Sequence, residues 1–208
     1  MTQFFSIHPD NPQPRLVREA AQILRDGGVI VYPTDSCYAL GCRLEDRGAL
    51  QRIRMIRALD LRHHFTLVCR DLSEVSRYAK VDNRQFRLLK SATPGSYTFI
   101  LAATREVPKR LQHPKRNTIG LRVPDHPVAS ALLAEMGEPI LSTSLLLPGD
   151  ELPLNDADAM RERLEGQVDL ILDSGACGFE MTTVVDLTGE GPQVMREGRG
   201  SLAAFGLA

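Results

Sequence analysis

The sequence predicts an α/β (α+β) fold in which a twisted, mixed β-sheet lies between two layers of helices. Two observations support this three-layer prediction. Several candidate strands, among them residues 29–32 and 97–101, are apolar at consecutive positions, as expected where both faces of a sheet are covered. Between them run helical segments of moderate length with one apolar face. There is no internal repeat and no low-complexity segment.

Local signals set the bounds of the elements. Pro12 and Pro14 open a first helix, where a missing N–H costs little, and Gly27 or Gly28 ends it. A helix also follows Pro127. The candidate N-caps of the other helices are Asp46, Asp71, Asp82 and either Asn155 or Asp156. The predicted strands are residues 4–7, 29–32, 65–69, 97–101, 118–123, 140–144, 168–172, 182–187 and 193–196.

Composition narrows the class of protein. Of 208 residues, 43% are hydrophobic, which is enough for a sizeable core, and the absence of Trp makes that core mainly aliphatic. No stretch approaches the ~20 apolar residues that span a bilayer, and the N-terminus lacks the pattern of a secretory signal. We therefore expect a cytoplasmic protein. The four cysteines are expected to be reduced thiols, and their spacing does not predict a zinc or other structural metal site.

Charge is strongly segregated along the chain, although the net charge is only −1. Residues 43–122 hold 18 Lys/Arg against 7 Asp/Glu, and residues 123–208 hold 4 against 15. One interpretation is a basic surface that attracts nucleotides or RNA. The other is that the two segments interleave in space and neutralise each other, and the sequence does not decide between them.

Small polar groups follow several predicted strands, and they are the candidate binding residues. The sequence has no P-loop, no dinucleotide-binding glycine motif and no nucleophile elbow. Hydroxyls, backbone N–H groups and arginine forks at the ends of strands can hold a carboxylate or phosphate. Taken singly, each hydroxyl is as well explained by a turn or helix cap, and Arg122 by a carboxylate partner. These groups are Thr34-Asp35-Ser36, Ser142-Thr143-Ser144, Thr182-Thr183, Arg122 and Arg196.

The pair His63-His64 allows two interpretations. A histidine here can contact phosphate or carry a proton. The alternative is an ordinary polar loop between a helix and a strand. We favour the loop for His64 and leave His63 open.

Taken together, these segments resemble the YrdC/YciO family, and the YciO branch most. The signature Tyr32-Pro33-Thr34-Asp35-Ser36 with Tyr38-Ala39-Leu40-Gly41 is similar to its Tyr-Pro-Thr-Glu-Thr and Tyr-Gly-Leu-Gly pattern. The remaining matches occur in the family's order across residues 10–200, which we expect to form one YrdC-like domain. They are Pro94-Gly95 with Thr98, Leu121-Arg122-Val123-Pro124, Ser142-Thr143-Ser144, residues 183–187 and Arg196-Glu197-Gly198.

The resemblance implies a YrdC-like fold with a concave basic surface, and an activity. Catalytic relatives join L-threonine, bicarbonate and ATP into threonylcarbamoyl-adenylate for tRNA modification, with Mg²⁺ expected to accompany ATP. It also implies binding of tRNA or double-stranded RNA and contact with other tRNA-modification proteins. Thr34 and Tyr38 are then expected at the amino acid. The residues expected at nucleotide or substrate are Arg57, His63, Arg122, Ser142, Ser144 and Arg196. The expected RNA-binding surface is Arg52, Arg54, Arg62, Lys109, Arg110, Lys115 and Arg116.

Two departures from the family pattern predict a weak or divergent enzyme, or a non-catalytic RNA-binding protein that keeps the fold. Catalytic relatives carry Lys-x-Arg-Pro where this chain has Arg57-Ala58-Leu59-Asp60, and an Asn where it has Leu146. A charged hydrogen bond contributes about 1.5–3 kcal/mol and a neutral one about 1. Losing both costs on the order of 10²–10³ in catalytic efficiency, unless a neighbour such as Arg62 compensates.

Overall fold

The computed structural model describes residues 1–60 and 63–206, and its strands form one ten-stranded mixed sheet. The strands, numbered in chain order, are β1 Gln3–Ser6, β2 Ile30–Tyr32, β3 Ala39–Arg43, β4 Thr66–Val68, β5 Tyr97–Ala102, β6 Thr118–Arg122, β7 Ile140–Ser144, β8 Leu170–Asp173, β9 Thr183–Asp186 and β10 Gln193–Arg196. Their order across the sheet is β1-β8-β2-β3-β7-β4-β6-β5-β9-β10. Strands distant in sequence are thus neighbours, which brings segments from the whole chain to one surface.

Six α-helices pack against this sheet. They are α1 Pro14–Arg25, α2 Arg47–Arg57, α3 Leu72–Tyr78, α4 Asn83–Ala92, α5 Pro127–Met136 and α6 Ala157–Leu164. Asp46, Asp71, Asp82 and Asp156 accept a backbone N–H at the starts of α2, α3, α4 and α6, as the sequence predicts. Asn155, the alternative cap of α6, instead exchanges two hydrogen bonds with the backbone of Cys177.

Buried side chains form two hydrophobic clusters, one on each face of the sheet. The larger cluster includes the inner faces of α2, α4 and α6. The smaller joins α1 and α5 to one face of β2 and β8. Consecutive strand residues alternate between them, so that Ile30 and Tyr32 belong to one and Val31 to the other. Helices therefore cover both faces, and the predicted three-layer arrangement with a mixed sheet is confirmed.

The sequence prediction misses β3. The predicted strands include none between residues 29–32 and 65–69, whereas Ala39–Arg43 pairs antiparallel with both β2 and β7. The short loop of residues 33–38 returns the chain beside β2, and Gly41 lies against Tyr32 and Ile140, where a Cβ would come within 2.9 Å of each. The other predicted strands agree within two residues at either end.

None of the helices in residues 1–60 and 63–206 is long and apolar enough to cross a bilayer.

Candidate functional site

A cavity of about 210 Å³ lies on the face of the sheet that carries α1 and α5, beyond the area these helices cover. Helix α1 contacts β2, β3 and β8, which lie towards one edge of the sheet. The cavity lies over the strands that follow, β7, β4, β6, β5 and β9. Ala39 and Val68 border both the smaller hydrophobic cluster and the cavity, so the cavity begins where that cluster ends.

Strand register determines the cavity floor. Thr66 and Ile100 both pair with Gly120, and Val68 pairs with Arg122, so these side chains share one face. A Cβ at Gly120 would lie 3.3 Å from Thr98 and 3.4 Å from the Thr66 hydroxyl. Because glycine has no side chain, the cavity is deeper at this position than it would be with any other residue.

Three arginines from distant parts of the chain reach the cavity. Arg57 is the last residue of α2, and Ala58 then ends the helix in a left-handed conformation. Arg122 is the last residue of β6. Arg196 lies at an irregularity where β10 shifts its register against β9, and its guanidinium donates to the carbonyl oxygen of Thr182 at 3.0 Å. The sheet thus brings together cations that are up to 139 positions apart in the sequence.

Arg122 is held by a buried carboxylate behind the cavity. It forms an ion pair with Asp35, and the two side chains are 8% and 10% exposed. Asp35 also accepts a hydrogen bond from the Ser96 hydroxyl at 2.7 Å. The Nε of Arg122 is buried and has no partner among the described residues. One edge of this guanidinium is therefore fixed by the carboxylate.

The other two arginines make no ion pair with a described residue. Burial lowers the pKa of both Arg57 and Arg196, because a desolvated cation loses its hydration. The Nε of Arg57 is buried and unpaired. Arg116, a fourth arginine at the cavity, is neutralised by Asp186 at 2.7 Å. No described residue that lines the cavity is a carboxylate, so the site favours an anion.

Imidazoles line the mouth of the cavity. His63 Nε2 lies 3.3 Å from the Thr143 hydroxyl, and its ring meets Phe65 edge-on. Burial, reinforced by the neighbouring charge of Arg57, lowers the pKa of His63 to about 4. His64 stacks on His113 with ring centroids 5.0 Å apart. At neutral pH, His63 is uncharged and offers either a donor or an acceptor to a bound molecule.

The hydroxyls of the signature segment are bonded within the protein. Thr34 Oγ1 donates to the Cys37 carbonyl at 2.6 Å and accepts the backbone N–H groups of Ser36 and Cys37 at 3.3 Å. Tyr38 donates to the Gly175 carbonyl at 2.6 Å, and burial raises its pKa. Neither side chain lines the cavity. From this segment, Cys37 and Ala39 line the cavity.

The serines of β7 differ from one another. Ser142 accepts from the Tyr32 hydroxyl and donates to the Leu40 carbonyl, both at 2.9 Å, so its hydroxyl hydrogen is committed. Burial raises the pKa of Tyr32 to about 12, which keeps it a donor. Ser144 makes no side-chain hydrogen bond with a described residue, and its hydroxyl is open to a ligand.

Six of the eight predicted substrate-binding residues line the cavity. They are Arg57, His63, Arg122, Ser142, Ser144 and Arg196. Leu59 and Leu146, which replace the expected Arg and Asn, are half-buried and do not line it. Leu59 packs instead against the larger hydrophobic cluster.

The predicted RNA-binding residues separate into two groups. Arg52 pairs with Asp169 at 2.8 Å and lies apart from the cavity. Arg116 lines the cavity, and Arg54, Lys109, Arg110 and Lys115 line a groove beside it. Arg62 lies outside the described residues. Part of the basic segment is neutralised by the acidic one, because Arg52 and Arg116 pair with Asp169 and Asp186, while Lys109 and Lys115 form no ion pair with a described residue.

Sequence reasoning misses three features of the cavity. It names Asp35 within a strand-end group but does not identify it as the carboxylate that holds Arg122. Thr98 and Thr182 share a buried hydrogen bond of 2.8 Å at the cavity wall. His113, on the segment between β5 and β6, joins the lining. The alternative of a carboxylate partner for Arg122 is the signal that points to Asp35, whereas the other contacts depend on tertiary structure.

The lining residues do not form a site for a metal ion. Among the described residues, no three His, Cys, Asp or Glu side chains converge as metal ligands, and the cavity offers no carboxylate. A Mg²⁺ that accompanied a nucleotide would be held by the phosphates and water. No step below depends on it.

Comparison with known proteins gives consistent results. The Sua5/YciO/YrdC family model, described as telomere recombination, matches residues 22–198. The uncharacterized protein YciO of Escherichia coli K12 is 59% identical over 99% of this chain and 100% of its own length. The crystal structure of E. coli YciO superposes with a TM-score of 0.95 over the same shares of the two chains.

More distant relatives have an assigned activity or ligand. A threonylcarbamoyl-AMP synthase of Chromobacterium violaceum is 34% identical over 90% of this chain and 96% of its own. P. abyssi Sua5, solved as a complex with L-threonine, is 25% identical with a TM-score of 0.86 and covers 95% of this chain, which spans 58% of that structure. The fold is thus similar to that of a protein solved with L-threonine, and the sequence is similar to that of a threonylcarbamoyl-AMP synthase.

Proposed function

We propose, from the premise that this chain belongs to the Sua5/YciO/YrdC family, that its cavity binds ATP and forms threonylcarbamoyl-adenylate from L-threonine and bicarbonate with reduced efficiency. The observation that supports this most is that Arg57, Arg122 and Arg196 line a cavity whose described lining residues include no carboxylate. Such a site favours phosphate groups. The activity itself comes from relatives such as the C. violaceum synthase.

The reaction has two bond-forming stages. The threonine amine and bicarbonate form a carbamate and release water. A carbamate oxygen then attacks the α-phosphorus of ATP, the bond to the bridging oxygen of the β-phosphate breaks, and pyrophosphate leaves. The protein would contribute mainly by positioning the two substrates and stabilising charge on the leaving group. Arg57 and Arg122, which each keep an unpaired N–H, are the groups we assign to that charge.

Thr34 and Tyr38 would affect binding of the amino acid indirectly, because they hold one wall of the cavity in place. Their hydroxyls are committed to the Cys37 and Gly175 carbonyls, so they fix the loop from which Cys37 and Ala39 face the cavity. We assign to substrate Ser144, which has no side-chain partner among the described residues, and His63, which contacts the Thr143 hydroxyl. The complex of P. abyssi Sua5 with L-threonine supports threonine as the amino acid.

The reduced efficiency follows from Leu59 and Leu146. Neither lines the cavity, so neither replaces the lost arginine fork or the lost amide with another polar contact. We therefore expect an efficiency lower by about 10²–10³ than a relative with both groups, at about tenfold per 1.4 kcal/mol.

The test is release of pyrophosphate from ATP in the presence of bicarbonate and threonine. We expect slow release that needs all three substrates and disappears in Arg122→Met. Arg105→Gln is the matched control, because Arg105 is 96% exposed and lies outside the cavity. Intact ATP binding without release would contradict the threonine reaction while leaving a nucleotide site.

A second candidate function is RNA binding, with or without catalysis. It is favoured by the groove lined by Arg54, Lys109, Arg110 and Lys115. Neutralisation of several phosphates makes affinity fall steeply with salt. Binding to tRNA or a duplex that is absent at low salt, or that does not respond to salt, would contradict this function.

A further inference from the structure

A groove of about 660 Å³ adjoins the cavity. The two spaces share five lining residues: His63, His64, Phe65, Leu111 and His113. The groove is about three times larger than the cavity and runs along the segment between β5 and β6. It is therefore a second, larger space beside the cavity.

The groove carries positive charge without a compensating carboxylate among its described lining residues. The side chains of Lys109 and Lys115 form no hydrogen bond or ion pair with a described residue. Arg110 donates to the carbonyls of Leu44 and Glu45 at 3.1 and 3.3 Å, which orients it without neutralising it. These cations are available to an anion from outside.

Every buried side-chain nitrogen or oxygen that lacks a partner in the described chain is a guanidinium Nε beside the groove or the cavity. Arg54 borders the groove, and Arg57 and Arg122 border the cavity. These Nε atoms have almost no exposed surface, so the three side chains add positive charge at the lining and not an open donor.

The groove also offers flat rings. His64 and His113 stack with an interplanar angle of 22°. The backbone N–H groups of Lys115 and Arg116 donate to His113 Nδ1 at 3.2 Å, which fixes that ring. Arg54 lies over the Phe65 ring at 5.7 Å, but Phe65 is buried, so the rings available in the groove are the imidazoles. A cationic channel with stacked rings suits unpaired nucleobases joined by phosphates.

We propose that the groove binds single-stranded nucleic acid. Phosphates lie on Arg54, Lys109 and Lys115, and one base stacks on the His64–His113 pair. Bases in a duplex are already stacked and cannot reach this pair, so the groove selects an unpaired strand. The proposal deepens the RNA-binding candidate above and does not require the threonine reaction.

The first experiment compares two double variants with the wild-type protein. Fluorescence anisotropy with a labelled eight-nucleotide RNA strand of mixed sequence measures affinity over a range of salt. Lys109→Gln with Lys115→Gln removes two phosphate contacts, so the slope of log affinity against log salt should become less steep by about 1.4, at about 0.7 per contact. Lys80→Gln with Lys90→Gln is the matched control, because these exposed lysines border neither space. An equal change in both variants would overturn the proposal.

A second experiment tests the stacked pair. His64→Ala should weaken binding about fivefold or more, whereas His64→Phe, which keeps a flat ring, should retain most of the affinity. Thermal denaturation of both variants checks that they fold. An equal loss of affinity in the two variants would show that a flat ring at this position does not contribute to binding, and it would overturn the proposal.

Competition distinguishes the remaining outcomes. A hairpin duplex of the same composition should compete at least tenfold more weakly than the strand, and equal competition would overturn single-strand selection while leaving RNA binding. No binding of any RNA would contradict both this proposal and the RNA-binding candidate, and pyrophosphate release would be unaffected. A DNA strand that binds as tightly would support the proposal, since phosphates and stacking are common to both sugars.

Discussion

Two parts of the cavity wall differ in how their polar groups are bonded. One is the signature turn, residues 32–38. The other is the arginine rim, which consists of Arg57, Arg122 and Arg196. In the turn, Thr34, Ser36 and Tyr38 satisfy one another and the backbone. At the rim, Arg57 and Arg196 form no ion pair with a described residue. Satisfied groups stabilise the fold and gain little from a ligand, whereas a cation without an ion pair gains a partner when an anion binds. We infer that the turn shapes the site and the rim binds.

The largest effect is expected from Arg122→Met. This change removes a cavity cation and leaves Asp35 buried without its partner, which costs about 3–5 kcal/mol of stability. Denaturant unfolding measures the loss, and calorimetric titration with ATP should detect no binding. The double variant with Asp35→Leu should recover much of the stability but none of the binding. If adding Asp35→Leu did not recover stability, the loss in Arg122→Met would not come from leaving the Asp35 carboxylate unpaired.

Arg57→Ala should separate binding from stability. The removed guanidinium is desolvated and unpaired, so unfolding midpoints should stay the same or rise slightly. Affinity for ATP should fall about 10- to 150-fold, the equivalent of one charged hydrogen bond of about 1.5–3 kcal/mol. Arg57→Lys should retain part of the affinity. Unchanged affinity in Arg57→Ala would exclude this residue from the binding rim.

Thr34→Val should behave in the opposite way. It leaves the Cys37 carbonyl without the hydroxyl donor, at a cost of about 1–3 kcal/mol, while Thr34→Ser keeps the hydroxyl. Urea midpoints of the two variants measure the difference, and ATP affinity should change little. If Thr34→Val kept its stability and lost only threonine binding, the turn would contact the substrate directly. It would then bind ligand as the rim is proposed to do, which would contradict the contrast between them.

The smallest effect concerns pH. The pKa of His63 falls from 6.5 unfolded to about 4 folded, so the unfolded state binds more protons between these values. The stability from the neutral ring is therefore complete above about pH 6.5 and is lost as the pH falls towards 4. His63→Gln should lose less stability than the wild-type protein between pH 7 and 5. Equal losses would show that the ring is not desolvated.

A bound phosphate should reverse this shift, because an anion beside His63 raises its pKa. Titrations of ATP near pH 5.5 in buffers of different ionisation enthalpy should show proton uptake that His63→Gln lacks.

Local sequence signals predict much of the fold. The Asp N-caps, the proline at the start of α1 and the apolar strand runs each depend on neighbours within a few residues. Strand β3 escapes prediction because Gly41 and Cys42 carry weak strand signals, and its pairing with β2 and β7 decides its structure. Likewise, the convergence of Arg57, Arg122 and Arg196 depends on strand order, which no local pattern contains.

The signature segment, residues 29–42, shows most directly what the sequence determines and what the tertiary structure determines. The sequence alone identifies it as a buried strand that stops at small polar residues, since apolar runs and Pro33 act locally. Only the tertiary structure decides which cation meets the Asp35 carboxylate. Thr34 donates to the Cys37 carbonyl three positions along the chain, which is a local contact, whereas Asp35 meets Arg122, which is 87 positions away. An ion pair between distant segments depends on the order of the strands, and that arrangement belongs to the fold as a whole.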